Sequence, residues 1–139
     1  MTKSRTAEAS LRVYPPDSAE AKCLSPEDSF PAVPVTSRLI DLMELAAARA
    51  LQPELRNGQA SVALDTKLVH LEKGGLSPFI RAAATRTVMH GRVHHFIVNV
   101  FAESGLIASA EHVRAVVVVH RLEGLARRRA GRPSMQLNV

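Results

Sequence analysis

An α+β fold, with a curled antiparallel sheet wrapped around one long central helix, is predicted by three features of this 139-residue sequence. The stretch from Val35 to Leu51 contains neither Gly nor Pro and reads as a helix with little face left for water. Beyond Asn57-Gly58 the apolar period changes from 3.6 to 2. Three short breaks, Gly74-Gly75, His90-Gly91 and Ser104-Gly105, divide that region into four runs, and strands joined by such turns are antiparallel neighbours. A sheet of that length curls, and the helix is the one element able to fill its concave face.

The elements follow in order. Residues 1–7 read as a loose leader, and Leu11-Arg12-Val13-Tyr14 as a first strand ended by Pro15-Pro16. Residues 17–35, with Pro26, Pro31 and Pro34, form an irregular connection whose one large apolar residue is Phe30. The helix opens at Thr36-Ser37, where a hydroxyl can accept from an orphan N–H, and Pro53 stops it. Leu39, Ile40, Met43, Ala46, Ala47 and Ala50 build its stripe, and Leu42 and Leu45 widen it, which sets Glu44 within a wrapped helix. Strands are expected at about 60–72, 78–89, 92–102 and 106–120, then a short helix over Leu122 to Arg129 and a frayed end. Strand, long helix and four antiparallel strands is the hotdog arrangement. One domain over 1–139 is expected, with 1–7 and 130–139 flexible.

Composition narrows the function. A hydrophobic share of 46% is that of a globular protein. No apolar run reaches the roughly 20 residues of a membrane helix, and Met1 to Thr6 lack a signal peptide's apolar core. The single cysteine, Cys23, rules out an internal disulfide and fits a reducing cytoplasm. Much of the +5 charge lies in Arg127-Arg128-Arg129 and Arg132, a pattern more typical of a solvated terminus than of a nucleic-acid site.

Few residues offer chemistry. His70 ends the alternating row Val62, Leu64, Thr66, Leu68, and such a position by itself suits a satisfied core histidine more than a working one. Glu44 is either a helix carboxylate that reaches solvent or a buried one that must be paired, protonated or functional. Thr36 by itself is an N-cap. His112 and Arg114, two apart on a strand, share a face, either as a surface pair or as a grip on an anionic group. His94 and His95 are adjacent, face opposite ways and make a poor metal pair, so no zinc site is expected. No phosphate loop, serine elbow or Cys–His signature is present.

Taken together, the residues resemble a family. Phe30-Pro31-Ala32-Val33-Pro34-Val35-Thr36, followed by Leu42-Met43-Glu44, is similar to the corresponding stretch of the fluoroacetyl-coenzyme A thioesterases and their hotdog relatives. In that family a Phe-Pro-x-Val-x-x-Thr segment leads into a helix with a Met-Glu pair eight residues past the Thr. Its histidine follows twenty-six residues later, here at His70, and its His-x-Arg-Ala recurs as His112-Val113-Arg114-Ala115. The resemblance spans roughly residues 28–122. It implies a thioester hydrolase working as a homodimer, with Thr36, Glu44 and His70 as the catalytic group. It also implies Phe30 as a lid over the acyl pocket and Arg114 near the acyl end. Ala63 stands where the family has a pocket glycine, and Leu71 to Gly75 departs from the family's Pro-containing turn.

The chemistry agrees. Thioester hydrolysis needs a nucleophile, a base and donors for the oxyanion. His70 is the base suited to neutral pH, and Glu44 can fix its tautomer. Eight helical residues advance about 12 Å and rotate about 80°, so Thr36 and Glu44 of one chain cannot bond directly. Either His70 bridges them or the site draws on two subunits. No cofactor is expected beyond the coenzyme A of the substrate, and no metal. Arg81, Arg86 and Arg92 are either grips for its phosphates or solvated strand arginines. Two other functions compete with acyl-CoA hydrolysis. One is a hotdog module that binds acyl-CoA without cleaving it, or a dehydratase-like relative; the other is a nucleic-acid or protein partner held by the arginine-rich tail.

Overall fold

A computed structural model describes residues 5–12, 36–71 and 79–131. Phe30 lies outside them, and of Thr36 only the backbone is described. The order is β1 (Thr6–Arg12), α1 (Thr36–Leu51), β2 (Gln59–His70), β3 (Phe79–His90), β4 (Val93–Ala102), β5 (Gly105–Val118) and α2 (Val119–Ala130). One sheet holds all five strands in the order β1-β3-β4-β5-β2, each pair antiparallel. The sheet curls over α1, and the fold is the hotdog fold.

The first strand starts earlier than Leu11; it contains Leu11 and Arg12, while Val13 and Tyr14 lie outside the described residues. Thr6 pairs with Thr85 and Ala7 with Ala84, so two residues of the expected leader belong to the sheet. Alanines at 7 and 9 carry little strand propensity, and what holds them is burial, Ala9 being 3% exposed. At the other end, the Val116–Val119 run hands over to helix at Val119, before the strand was expected to end. The β3–β4 hairpin turns through Gly91 at φ 58°, a left-handed conformation that glycine adopts freely.

Helix α1 fills the concave face. Leu39, Leu42, Met43, Ala46, Ala47, Ala50 and Leu51 are buried. They meet strand residues that are small where the approach must be close, including Ala82, Ala84, Ala108 and Ala110. Leu45 does not widen the stripe. Two residues rotate a helix by about 200°, so it lies nearly opposite Met43 and is 42% exposed. Glu44 accordingly flanks the packed face, its side chain 45% exposed, instead of sitting within it. Helix α2 buries no side chain among its described residues. No helix of the described residues is long and apolar enough to cross a membrane.

Candidate active site

The site is set by which way β2 faces. Residues directly opposite in an antiparallel pair share a face, and Ala108, Ala110, His112 and Arg114 of β5 are all buried toward α1. Their partners on β2 are His70, Leu68, Thr66 and Ala63. The register slips between Ala63 and Asp65, leaving Leu64 as a bulge. The alternation that put Val62 and Leu64 on the row of Thr66, Leu68 and His70 is therefore broken. Val62 opposes Ala115 on the outer face, while Ala63 is turned inward beside Arg114. One extra residue brings Ala63, Thr66 and His70 to a single face.

On that face a chain of polar groups runs from the helix to the edge strand. The Glu44 carboxylate lies 3.5 Å from Arg114 Nη1. Arg114, 3% exposed, donates from Nε to Ser61 Oγ and from Nη2 to the Ser61 carbonyl, each at 2.9 Å. Its Nη1 lies 3.2 Å from His112 Nε2, and His112 Nδ1 lies 2.6 Å from Thr66 Oγ1. A guanidinium only donates, so Nε2 accepts and the neutral ring carries its proton on Nδ1. Burial, and then the Arg114 charge, holds His112 below the ordinary histidine pKa, with Glu44 and Asp65 opposing. Burial also lowers Arg114, against Glu44, which raises it. Of the two readings of the His112–Arg114 pair, the surface pair is excluded.

His70 occupies the rim. It is exposed, ends β2 and stands opposite Ala108, six residues along β5 from Arg114. That is roughly 20 Å of strand, more than the two side chains span. Within one chain, then, Glu44 is brought to Arg114, and His70 is held at the far end of the same face.

A second arginine–histidine pair, which sequence reasoning missed, lies on β3 and β4. Arg86 donates from Nη2 to Glu54 Oε1 at 3.1 Å and from Nη1 to Oε2 of the same carboxylate. Its Nη1 also lies 3.2 Å from His94 Nδ1, and both residues are buried. The Arg86 hydrogen bond lowers the Glu54 pKa against burial, and burial followed by the Arg86 charge lowers His94. Arg86 is therefore an internal ion-pair partner and not a grip for phosphate. Arg81 binds Glu8 at 2.6 Å and lies over the Phe101 ring, while Arg92 is exposed. The only available sequence signal was the alternation placing Arg86 with Ala82 and Ala84, since Glu54 is 32 residues away. Among the described residues, no group of three His, Cys, Asp or Glu is placed to hold a metal.

A sequence model of the fluoroacetyl-CoA-specific thioesterases matches residues 18–120. The chain belongs to that family. Family membership makes it a thioester hydrolase. Among solved structures, the fluoroacetyl-CoA thioesterase FlK is 25% identical with a TM-score of 0.78, covering 96% of this chain and 98% of its own. A phenylalanine-to-alanine variant of FlK in complex with fluoroacetate and CoA is 24% identical, with a TM-score of 0.76 over 88% of this chain and 97% of that one. A thioesterase superfamily member from Thermus thermophilus, 20% identical, shares the fold with a TM-score of 0.78 over 93% of each chain. No curated protein matches the chain in sequence.

Proposed function

We propose that the chain hydrolyses a small acyl thioester of coenzyme A to the free acid and free thiol, in a site shared between two copies of itself. The family match carries the reaction class. The observation that carries the arrangement is the bulged edge strand β2, whose inner face holds Ala63 in its first half and His70 at its end. An unpaired strand edge is a template for a second strand. Pairing β2 antiparallel with β2 of a second copy, about a two-fold axis through its middle, sets His70 of one chain beside the Gln59–Ala63 half of the other. Glu44 waits there beside Arg114.

In this reading His70 is the base and Glu44 of the other chain orients it and stabilises its cation. Thr36, at the start of α1, supplies the hydroxyl at the point of attack, as the nucleophile or as the holder of the attacking water. Attack on the carbonyl carbon forms a C–O bond, His70 takes the attacker's proton, and the C–S bond breaks as the leaving thiolate receives it; where Thr36 is the attacker, water then cleaves the acyl-Thr36 ester, giving the free acid and returning the hydroxyl its proton. Trapping of an acylated Thr36 by rapid quench separates the two roles. Phe30 over the acyl group and Ala63 and Arg114 along it complete the pocket. The reducing cytoplasm, suggested by the lone Cys23, is the compartment this reading assigns.

The test is release of free thiol from a panel of short acyl-CoA esters. His70→Ala and Glu44→Gln are each expected to lower kcat about 10²- to 10⁴-fold while leaving the fold intact. Unchanged turnover in Glu44→Gln removes that carboxylate from the mechanism. Esters that bind but are never cleaved by the wild type replace the hydrolase with a binding module.

A further inference from the structure

We propose that Thr66 is a fixed hydrogen-bond donor at the floor of the acyl cleft, and that the acyl group it reads carries an oxygen substituent on its second or third carbon. The inference rests on the hydrolase reading above and names the substrate class for that site.

The argument starts at Arg114. Its Nη1 can only donate, so His112 Nε2 is an acceptor and the ring's single proton sits on Nδ1. That N–H points at Thr66 Oγ1, 2.6 Å away, so the threonine oxygen accepts from it. The hydroxyl's own hydrogen is thereby turned away from His112. Among the described residues none offers it an acceptor. A half-buried donor without an acceptor among the described residues is satisfied by a ligand or a water, and a ligand that replaces that water without an acceptor loses affinity.

Position says which part of the substrate the hydrogen meets. Thr66 stands on the inner face of β2 between Ala63 and His70, directly opposite His112, which is 0% exposed. Glu44, half-exposed, stands over the same face beside Arg114. In the site proposed above, the reacting carbonyl lies at that exposed carboxylate and the acyl group runs along the buried face. Thr66 therefore meets the acyl substituent and not the carbonyl under attack.

The linkage also makes the donor rigid. Glu44, Arg114, His112 and Thr66 come from three elements and are joined contact by contact, so the hydroxyl oxygen is held in place and its hydrogen is directed away from His112 before substrate arrives. The direction of His112 is closed to the hydroxyl hydrogen, because the oxygen accepts there from a neutral imidazole.

The experiment compares kcat/KM for two pairs of nearly isosteric esters, glycolyl- against propionyl-CoA and 3-hydroxybutyryl- against isovaleryl-CoA. In the wild type the oxygenated member of at least one pair is expected to win about tenfold, the worth of one neutral hydrogen bond. Thr66→Val, which keeps the shape and removes the hydroxyl, is expected to bring that ratio close to one. Thr66→Ser is expected to restore it, which a purely structural role would not do. A wild type indifferent to oxygen in both pairs, or a ratio unmoved in Thr66→Val, overturns the proposal. Should the wild type cleave none of the four, the hydrolase reading falls. The same ratio is then read from dissociation constants of the matching thioether analogues, where a preference lost in Thr66→Val upholds the donor and an equal ratio overturns it.

Discussion

Arg86 with His94, and Arg114 with His112, are each a buried cation held against a neutral imidazole and tied to a carboxylate from α1 or the turn that follows it. Burial comes first in lowering both histidines, and the neighbouring guanidinium second. The sign of the consequence is fixed. A histidine whose folded pKa lies below its unfolded value binds more protons unfolded, so stability is full above about pH 6.5 and falls as pH drops below it. Glu54, also lowered, adds its loss at more acid pH. Facing His94 are Arg86 and Glu54; facing His112 are Arg114, Glu44 and Asp65. Urea midpoints between pH 8 and 5 are expected to fall on acidification, and to fall less in His94→Asn, whose amide oxygen can accept from Arg86 without titrating. A midpoint flat from pH 8 to 5 contradicts the neutral-imidazole assignment. Part of this was legible in advance: two residues apart on a strand means one face, so His112 and Arg114 were placed together. Their burial was not, because periodicity says which residues share a side and not how deep that side lies. His94 was rightly set opposite to His95, but its partner Arg86 lies on another strand and Glu54 beyond the helix.

At the scale of elements, α1 and the sheet touch through small residues. Ala46 and Ala47 are fully buried, as are Ala82, Ala84 and Ala108 on the strands beneath. Such a contact has no slack for added methylenes. Ala47→Leu is expected to cost about 1–3 kcal/mol by overpacking, read as a lower urea midpoint at constant m-value. An unchanged midpoint means that the helix rides higher over the sheet than described. The helix was legible because sixteen residues of strong formers lie between a hydroxyl start and a proline stop. The four later strands were legible from glycine turns and a period of two. Two things were not. An alanine-rich strand such as β1 has one β-branched residue, Thr6 at its start, and no aromatic, and the bulge at Leu64 is one extra residue inside an unbroken apolar alternation. That bulge decides which of Val62 and Ala63 faces the cleft, so the site's inner face could be read from the sequence only downstream of it.

For the whole molecule, the 15.1 kDa chain presents β2, among the described residues, as a sheet edge twelve residues long. The proposed pairing of that edge accounts for His70 and Arg114, the partner of Glu44, lying roughly 20 Å of strand apart in one chain while Glu44 and His70 serve one reaction. A shared site has a signature that no single-chain site can copy. His70→Ala retains Glu44, and Glu44→Gln retains His70, so a dimer containing one of each has one intact site and one doubly damaged site. The measurement is thiol release after the two inactive proteins are mixed and allowed to exchange subunits. The account predicts recovery of about a quarter of wild-type activity, since half of the dimers become mixed and each carries one of two sites. A mixture no more active than either parent, with mixed dimers shown to have formed, contradicts it and returns Glu44 and His70 to the same chain.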